Sequence, residues 1–532
     1  MLNLNSSSLK DAAQWEKIGV KAPSFDFDRM TEHTLENPSW LHFGAGNIFR
    51  GYIARLQHEL LNKGKVDSGI VVAESFDFDI IDKIYAPHDC LTLLATMNHD
   101  GSVDKEIVAS MAAAYRADVH RGKIEKMFTN PSLQMVSFTI TEKGYALHSA
   151  DGSLLPIVKA DMANRPSETK HIMSLVTALL LIRFNMGAYP LSLVSMDNCS
   201  HNGDRLRDAV LAIATAWVKN GFASDEFISY LRTKIAFPWS MIDKITPRPS
   251  EAVQSHLENL GIAQMTPIVT SKNTYTAPFV NAEAAEYLVI EDAFPNGRPP
   301  LHDVGVYFTD RQTVNKVETM KVTTCLNPLH TALAVFGCLL GYTSIAEEMK
   351  DNDLVALVKK IGYDEGMKVV VDPVIISPKD FIDEVIERRL PNPFIPDAPQ
   401  RIATDTSQKV GIRFGETIKA YMAHPELNTE DLIGIPLAIA AWMRYLLGVD
   451  DNLNSFELSP DPMMDTLQSS LKGIIPDQMF SYTGQLALIL SNPNIFGVDL
   501  YEAKLGRKIE NLFVEMLDGE GSVRRILSRS MA

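Results

Sequence analysis

The spacing of apolar and polar residues changes near residue 313. From residue 39 to about 250, short apolar runs alternate with amphipathic helical patterns, and residues 265–310 add strand-like pieces between turn residues. The clearest apolar runs predict strands over residues 40–43, 69–73, 135–141 and 192–196. Because these runs are apolar throughout rather than alternating, they favour a parallel sheet covered by helices on both faces.

Beyond about residue 313, apolar residues recur with helical periodicity. The pattern predicts helices over residues 331–345, 353–361, 379–387, 407–421, 435–447 and 482–490. At 532 residues, the chain is also too long for one ordinary core. We therefore expect two domains: an α/β domain over residues 1–312, including an N-terminal extension to residue 38, and a mostly α-helical domain over residues 313–532.

The first predicted strand runs into a glycine turn, Gly44-Ala45-Gly46-Asn47-Ile48-Phe49-Arg50-Gly51, and an amphipathic helix follows. Strand, glycine turn and helix are the context of a Rossmann dinucleotide fingerprint. Gly44 permits the tight turn, and Gly46 lets the backbone approach a pyrophosphate at the helix N-terminus. Phe49 occupies the position of the third glycine, so an ordinary strand-to-helix turn is the alternative interpretation.

The second predicted strand is followed by an acidic residue, Glu74. A carboxylate at this point can bind the adenosine ribose hydroxyls and repel a 2′-phosphate. The sequence therefore favours NAD over NADP. Asp77 and Asp79 are alternatives to Glu74 for this role.

The segment Lys321-Val322-Thr323-Thr324-Cys325-Leu326-Asn327-Pro328-Leu329-His330 places an amine, a carboxamide and an imidazole within three turns of one predicted helix. A hydride-transfer enzyme acting on an alcohol needs a base for the hydroxyl proton and donors for the oxygen. Lys321 can be the base if burial disfavours its ammonium form, and Asn327 and His330 can be the donors. The alternative is a solvated lysine on a helix surface.

Charge and cysteine usage exclude several classes of protein. A net charge of −16 argues against nucleic acid or anionic membranes as partners, and an anionic substrate would need a local cationic pocket. The four scattered cysteines fit a reducing cytoplasm, and no Cys or His spacing resembles a zinc site. The N-terminus lacks the regions of a signal peptide, and the uncharged run 331–346 is too short to span a membrane. We expect a cytoplasmic, metal-independent protein that is a monomer or small homo-oligomer.

Further motifs follow the glycine turn in order. They are Thr141-Glu142-Lys143-Gly144-Tyr145, Ser195-Met196-Asp197-Asn198, Phe237-Pro238-Trp239-Ser240-Met241-Ile242-Asp243-Lys244-Ile245-Thr246-Pro247, Val289-Ile290-Glu291-Asp292, Met320-Lys321 and Arg401-Ile402-Ala403-Thr404-Asp405-Thr406-Ser407-Gln408-Lys409. With the glycine turn, they resemble the polyol-specific long-chain dehydrogenases, or mannitol dehydrogenase family, across residues 23–465. The resemblance implies a Rossmann-type domain followed by a helical one, and an NAD-dependent dehydrogenase acting on a secondary alcohol of a sugar acid, ketose or polyol.

The same resemblance implies roles for individual residues. Lys321 is the general acid/base, and Asn327 and Asn198 are amide donors to the substrate oxygen, with Asn202 as the fallback for Asn198. From its position one turn before Lys321, rather than from the resemblance, Glu318 is the candidate proton relay to solvent, and an ion pair with a lysine is the alternative. The remaining expected roles are substrate binding by His330, Arg401 and Lys409, and NAD binding by Gly44, Gly46, Asn47, Ile48, Phe49 and Glu74. Asp243 and Lys244 are expected to form an internal structural pair.

Among family substrates, the resemblance favours interconversion of D-fructuronate and D-mannonate, a step of hexuronate breakdown. A uronate carries a carboxylate that must be paired when it is desolvated, and Arg401, Lys409 and His330 can supply the cationic pocket. Tagaturonate reductase and mannitol 2-dehydrogenase are the alternatives.

The spacing of Lys321 and Asn327 departs from the family, in which these residues stand five apart rather than six. One extra residue rotates a side chain by about 100° on a regular helix. A π-bulge or a break between Thr323 and Leu326 would absorb it, or Asn327 would cap a new helix with Pro328 in the first position. A catalytically inactive NAD-binding protein is the non-enzyme alternative.

Overall fold

The computed structural model describes residues 1–149 and 151–532, which divide into two units, Met1–Asn315 and Lys316–Ala532. Within the described residues, every named strand belongs to the first unit. The strands are β1 (Trp40–Phe43), β2 (Ile70–Glu74), β3 (Thr92–Met97), β4 (Val103–Val108), β5 (Met111–Arg116), β6 (Met135–Phe138), β7 (Leu191–Ser195), β8 (Ile235–Ala236), β9 (Ser240–Asp243), β10 (Ile268–Val269), β11 (Tyr275–Thr276), β12 (Phe279–Glu283), β13 (Tyr287–Glu291) and β14 (Tyr307–Thr309).

Six of these strands form one parallel sheet in the order β5-β2-β1-β6-β7-β8. Numbered along the chain, this is the 3-2-1-4-5-6 order of a Rossmann fold, and the strand order reverses between β1 and β6. The predicted strands 40–43, 69–73 and 192–196 correspond to β1, β2 and β7. The prediction of 135–141 was too long, because a short helix, Thr141–Tyr145, begins where the strand was expected to continue.

Apolar side chains cover both faces of the parallel sheet, as the sequence predicted. Leu41, Phe43, Val71, Val136 and Phe138 belong to one buried cluster. The alternate positions, among them Trp40, Ile70, Val72, Met135 and Val194, belong to a second buried cluster. Because successive side chains of a strand point to opposite faces, only strands that are apolar at every position can fill both layers.

Three smaller sheets complete the strands of the first unit. They have the orders β12-β3-β4, β14-β13-β9 and β10-β11. The first two combine one parallel and one antiparallel pair, and the third is an antiparallel hairpin. The α-helices as far as residue 259 are α1 (Ser6–Leu9), α2 (Ala12–Lys17), α3 (Phe27–Glu36), α4 (Ala54–Asn62), α5 (Phe78–Ile80), α6 (Arg121–Thr129), α7 (Thr141–Tyr145), α8 (Pro156–Ala163), α9 (Ile172–Asn185), α10 (Asn202–Lys219), α11 (Asp225–Thr233) and α12 (Glu251–Asn259).

From residue 311 onward the regular structure is helical. The α-helices are α13 (Arg311–Met320), α14 (Asn327–Leu340), α15 (Ile345–Glu348), α16 (Asn352–Lys359), α17 (Pro378–Glu384), α18 (Pro399–Ile402), α19 (Glu416–Ala423), α20 (Gly434–Tyr445), α21 (Met464–Ser470), α22 (Ala487–Leu490), α23 (Pro493–Phe496), α24 (Gly506–Glu515) and α25 (Ser522–Met531). The α/β fold class is therefore confirmed. The helix predicted over 482–490 was wrong in its first half, because only Ala487–Leu490 is α-helical.

Six π turns interrupt or extend these helices among the described residues. They are Phe49–Ile53, Ile81–Tyr85, Lys321–Cys325, Lys360–Glu365, Val385–Arg389 and Gly411–Gly415. A π turn holds one more residue than an α-helical turn and occurs often at functional sites. Four of the six lie in the second unit.

The segment Arg311–Leu340 is long and apolar enough to cross a membrane by length and composition. However, 78% of its most apolar 18-residue stretch is buried within the folded protein. Burial of this kind is typical of the core helix of a folded domain. The sequence predicted a helix over residues 331–345, which overlaps this segment.

Candidate active site

The glycine turn after β1 requires glycine at its first position. Gly44 has a φ of 107°, and a Cβ atom there would lie 2.1 Å from the carbonyl oxygen of Thr139. At Gly46, by contrast, no heavy atom lies within 4 Å of the Cβ position, so the backbone is open to a ligand. Helical structure begins at Asn47. These features fit the pyrophosphate of a dinucleotide, which binds backbone N–H groups at such a helix start.

Phe49 replaces the third glycine with an aromatic contact. Its fully buried ring stacks on His42 of β1, with 4.1 Å between the ring centroids, and the π turn Phe49–Ile53 begins here. The glycine that permits a close contact is Gly51 instead, because a Cβ atom there would lie 2.7 Å from the side chain of Val280. The side chain of Phe49 is therefore unavailable to a cofactor, and only its backbone can meet one.

Glu74, at the end of β2, faces the glycine turn. Its carboxylate accepts hydrogen bonds from the amide of Ala45 at 2.9 Å and from the amides of Ser75 and Phe76 at 2.9 and 2.8 Å. Asp77 and Asp79, the alternatives to Glu74, have other partners. Asp77 accepts a hydrogen bond from Thr270 Oγ1 at 2.7 Å, and Asp79 accepts one from the Ser271 amide at 2.7 Å. Of the three acids, Glu74 is thus the one that the structure brings to the glycine turn, while the other two anchor the loop between β10 and β11.

Asn198 is exposed on the loop after β7, at the carboxyl edge of the parallel sheet. Its neighbour Asp197 secures that loop by accepting hydrogen bonds from the amides of Ile140 and Thr141, both at 2.9 Å, and burial raises the pKa of this carboxyl. Asn202 is buried, and its amide nitrogen donates to the carbonyl oxygens of Ser195 and Ser240 at 3.2 and 3.0 Å. The side chain of Asn202 is thus engaged within the fold, whereas that of Asn198 is accessible.

Lys321 begins the π turn Lys321–Cys325 and is only 5% exposed. The Leu326 amide donates to the Lys321 carbonyl five residues back at 3.1 Å, which is the hydrogen bond of a π turn. Leu326, with a φ of −132°, then breaks the helix, and α14 restarts with Asn327 and Pro328. The extra residue between Lys321 and Asn327 is therefore absorbed by a π turn followed by a restart. Leu326, rather than Asn327, is the N-cap residue.

His330, Arg401 and Lys409 lie in one cluster with a carboxylate that sequence reasoning missed. Asp397 is buried, lies 3.5 Å from His330 Nε2 and forms an ion pair with Arg401. Burial lowers the pKa of His330 to about 4; Asp397 opposes this shift, and Arg389, Arg413 and Arg401 add to it. The position of Asp397, four residues before Arg401, is the sequence feature that could have indicated this pair.

Lys409 and Arg413 form the other side of this cluster. Lys409 donates from Nζ to the Thr404 carbonyl, and burial lowers the pKa of its ammonium, with Arg413 adding to the shift. Arg413, which the sequence analysis did not select, stands four residues after Lys409 in the π turn Gly411–Gly415. We call Arg389, Arg401, Lys409 and Arg413 the cationic cluster, and the neutral His330 lies beside it.

The expected pair at Asp243 and Lys244 is only partly as predicted. Lys244 is buried, donates to the Glu283 carbonyl at 2.6 Å and pairs with Glu286 at 2.9 Å. Burial lowers its pKa, and Glu286 opposes that shift. Lys244 is therefore structural, with Glu286 as a partner that the sequence analysis did not name. Among the described residues, no group of three or more His, Cys, Asp or Glu side chains is arranged to hold a metal ion.

Comparison with known proteins places the chain in a family. Residues 38–303 match the mannitol dehydrogenase Rossmann domain, and residues 313–517 match the mannitol dehydrogenase C-terminal domain. The chain is 53% identical to a D-mannonate oxidoreductase of Thermotoga maritima over 99% of this chain and 98% of that protein. It is 28% identical to a D-mannonate oxidoreductase of Escherichia coli over 85% of this chain and 87% of that protein. The mannitol 2-dehydrogenase of Pseudomonas fluorescens, solved with NAD and D-mannitol, has a TM-score of 0.71 and 26% identity over 99% of both chains.

The chain therefore belongs to the mannitol dehydrogenase family. It is an NAD-dependent dehydrogenase that acts on a secondary alcohol, as the sequence analysis expected. The residues of the glycine turn fit this cofactor, since Gly46 leaves its backbone open and Glu74 lies beside the turn.

Proposed function

We propose that the chain catalyses the reduction of D-fructuronate to D-mannonate with NADH, and the reverse oxidation. The observation that carries this proposal is the 53% identity to a D-mannonate oxidoreductase over nearly the whole of both chains. The substrate is a small sugar acid, and its carboxylate distinguishes it from the neutral polyols and ketoses of other family members.

The cationic cluster supports a substrate with a carboxylate. The whole chain carries a net charge of −16, yet Arg389, Arg401 and Arg413 all lie near His330. Lys409 lies near Arg401 and Arg413, and the buried Asp397 pairs with Arg401. A desolvated carboxylate requires a charged partner, and guanidinium groups match its geometry. Such a local concentration of cations within an acidic protein is what a uronate needs.

We assign the proton transfer to Lys321. When bound, NAD(H) accepts or supplies the hydride. Lys321 Nζ takes the hydroxyl proton of the substrate during oxidation and returns it during reduction, and its 5% exposure keeps bulk water away from that proton. We assign Asn327 and Asn198 as amide donors to the substrate, and Glu318, partly buried three residues before Lys321, as the group that passes the proton towards solvent. No metal ion is required for these steps.

The two domains have separate tasks in this proposal. Residues 1–312 bind NAD through the backbone of Gly44, Gly46, Asn47, Ile48 and Phe49 and through the carboxylate of Glu74. Residues 313–532 contribute Lys321 and Asn327 to the reaction, and His330, Arg401 and Lys409 to the binding of the substrate.

A side-by-side assay of NADH consumption tests the proposed function. D-Fructuronate, D-tagaturonate and D-fructose are supplied separately at matched concentrations, and kcat/KM is compared. We expect the highest value for D-fructuronate. If D-tagaturonate is preferred, the enzyme is a tagaturonate reductase, and if D-fructose is preferred, it is a mannitol 2-dehydrogenase; either result overturns the proposal.

A further inference from the structure

Arg413 has few hydrogen-bond partners for an arginine within a folded domain. Its Nη1 donates to Thr331 Oγ1 at 2.7 Å, and within residues 1–149 and 151–532 no carboxylate pairs with it. Burial lowers the pKa of its guanidinium to about 10, so the group stays charged at neutral pH. Arg413 is therefore a partly desolvated cation without a counter-ion.

Other interior arginines of this chain show how such a charge is usually satisfied. Arg183 donates to the carbonyl oxygens of Phe128, Asn130, Leu133, Tyr189 and Pro190. Arg444 donates to those of Val449, Asp450 and Met516.

A guanidinium has five N–H donors, of which Arg413 uses one on Thr331. Its remaining nitrogens are not among the buried polar atoms that lack a partner, and the residue is half-buried, so these donors keep some exposure to solvent. The free donors of Arg413 are thus not sealed inside the fold.

The acidic residues near Arg413 already have partners. Asp397 pairs with Arg401 and contacts His330, and Asp461 accepts from the Ser407 hydroxyl and amide. Burial lowers the pKa of Lys409, and Asp405 and Asp461 oppose that shift, whereas burial alone causes the lowered pKa of Arg413. The desolvated charge of Arg413 is therefore open to pairing with an anion from outside the chain.

Arg413 is also close to the proposed acid/base residue within the second unit. Its π turn, Gly411–Gly415, packs against the π turn Lys321–Cys325 and against α14. Thr417, which follows in α19, donates to the Thr323 carbonyl at 3.4 Å. A six-carbon substrate whose carbonyl is near Lys321 has its carboxylate only a few bonds away.

We propose that Arg413 binds the carboxylate of the substrate and is the residue that distinguishes a uronate from a neutral ketose. This inference rests on the proposed function, since it concerns the same substrate. Thr331 orients the guanidinium by accepting its hydrogen bond, and the free donors form a two-point contact with the carboxylate oxygens.

D-Fructuronate and D-fructose provide a matched pair for the test, because they differ only in having a carboxylate or a hydroxymethyl group at one end. In Arg413→Gln, we expect kcat/KM for D-fructuronate to fall by roughly 10²- to 10³-fold, because one partner of a desolvated charge pair is lost. The value for D-fructose should change by less than about threefold. Arg388→Gln, which removes an exposed arginine from the same unit, is the matched control and should change neither value.

The outcomes separate this inference from the proposed function. A wild-type enzyme that does not reduce D-fructuronate contradicts the proposed function. If the wild type reduces D-fructuronate, the role of Arg413 is contradicted by either of two results for Arg413→Gln. In the first, the variant keeps its activity towards D-fructuronate; in the second, it loses activity towards D-fructuronate and D-fructose equally. Arg413→Lys should recover part of the D-fructuronate activity, because it keeps the charge but not the two-point contact.

A thermal-shift measurement tests the contact without turnover. With NADH bound, D-mannonate cannot react, and it should raise the Tm of the wild type more than D-mannitol, its counterpart without the carboxylate. In Arg413→Met the difference between the two ligands should vanish. The Tm of this variant without sugar should be no lower than that of the wild type, because an unpaired charge has been removed. A Tm increase by D-mannonate that survives in Arg413→Met would overturn the inference.

Discussion

Lys321 combines deep burial with a position at the start of a π turn. If it transfers the substrate proton, Lys321→Ala should lower kcat by a factor of roughly 10² to 10⁴ and leave NADH binding nearly unchanged. Steady-state assays and a fluorescence titration with NADH measure the two effects. Lys350→Ala, which removes an exposed lysine of the same unit, is the control. A Lys321 variant with near-native kcat would exclude the residue from proton transfer.

Glu74 should set the preference between NADH and NADPH. Its carboxylate accepts a hydrogen bond from the Ala45 amide, so Gln is a better test than Ala because it keeps an acceptor for that amide. We expect the wild type to have the higher kcat/KM with NADH, and Glu74→Gln to narrow the difference by roughly tenfold, since repulsion of the 2′-phosphate is lost. Preference of the wild type for NADPH would show that another residue meets the ribose.

The candidate site residues that could be predicted from the sequence, such as Gly44, Lys321 and Arg401, all belong to recognisable sequence motifs. Asp397 and Arg413 were missed for a physical reason. Arg413 is a candidate binding group because most of its N–H donors have no partner in the folded protein. Which donors remain without a partner depends on residues that come together only on folding, so the sequence does not reveal it. The ring of Phe49, likewise, can be seen to stack on His42 only when β1 and the following turn are in place.

At the level of elements, Glu365 joins two helical segments that are distant in sequence. It ends the π turn Lys360–Glu365, is buried, and accepts hydrogen bonds from the amides of Ile433, Gly434 and Ile435 at the start of α20. The carboxylate thus satisfies N–H groups that have no partner within the helix.

Removing that carboxylate should destabilise the second unit. We expect Glu365→Ala to lower the free energy of unfolding by about 1–3 kcal/mol, since buried amides lose their acceptor, and Glu365→Gln to lower it by less. Urea unfolding followed by circular dichroism gives these values. Exposed Glu347→Ala should stay within about 0.5 kcal/mol of the wild type. Equal stability of Glu365→Ala and Glu347→Ala would contradict the capping role.

The strands of the parallel sheet could be predicted because both of their faces are buried and the sequence is correspondingly apolar. The π turns at particular positions could not, since one added residue leaves the apolar periodicity on either side almost intact. The incorrect first half of the helix at 482–490 has a local cause, because Gly484 has a φ of 103°, which lies outside the α-helical region. The buried face formed by Leu486, Ile489 and Leu490 exists only after that residue.

At the level of the whole molecule, several histidines are neutral because they are buried. Burial lowers the pKa of His58 to about 4 and that of His42 well below its usual value, and His330 behaves similarly. His58 Nδ1 also accepts the Ala109 amide at 3.2 Å, which requires an unprotonated nitrogen. These histidines therefore bind fewer protons in the native protein than in the unfolded chain as the pH falls below 6.5.

The stability that these histidines contribute should consequently fall as the pH is lowered from 6.5, whereas a buried carboxyl with a raised pKa, such as that of Asp197, changes stability in the opposite direction. A histidine with a depressed native pKa contributes stability above its unfolded pKa, and each one loses roughly 1.4 kcal/mol per pH unit below it. Urea unfolding at pH 7, 6 and 5 measures how the free energy of unfolding changes with pH, and hence how many protons the chain takes up when it unfolds. In His58→Asn, which keeps an acceptor for the Ala109 amide, this uptake should be lower by about one proton. A slope that is unchanged in this variant would mean that His58 is protonated in the native state.

The π turns also bear on how the chain can lose residues. Elsewhere in a helix, deletion of one residue rotates everything that follows by about 100° and buries the wrong face. Within a π turn, the same deletion can be absorbed by a return to α-helical geometry, and the flanking helices keep their register. Ile81–Tyr85, which contains no proposed functional residue, should therefore tolerate a single-residue deletion better than the neighbouring helical positions. At Lys321–Cys325 a chain shortened in this way should still fold, but Asn327 would then follow Lys321 at a distance of five residues, the spacing that the resemblance to the family implies.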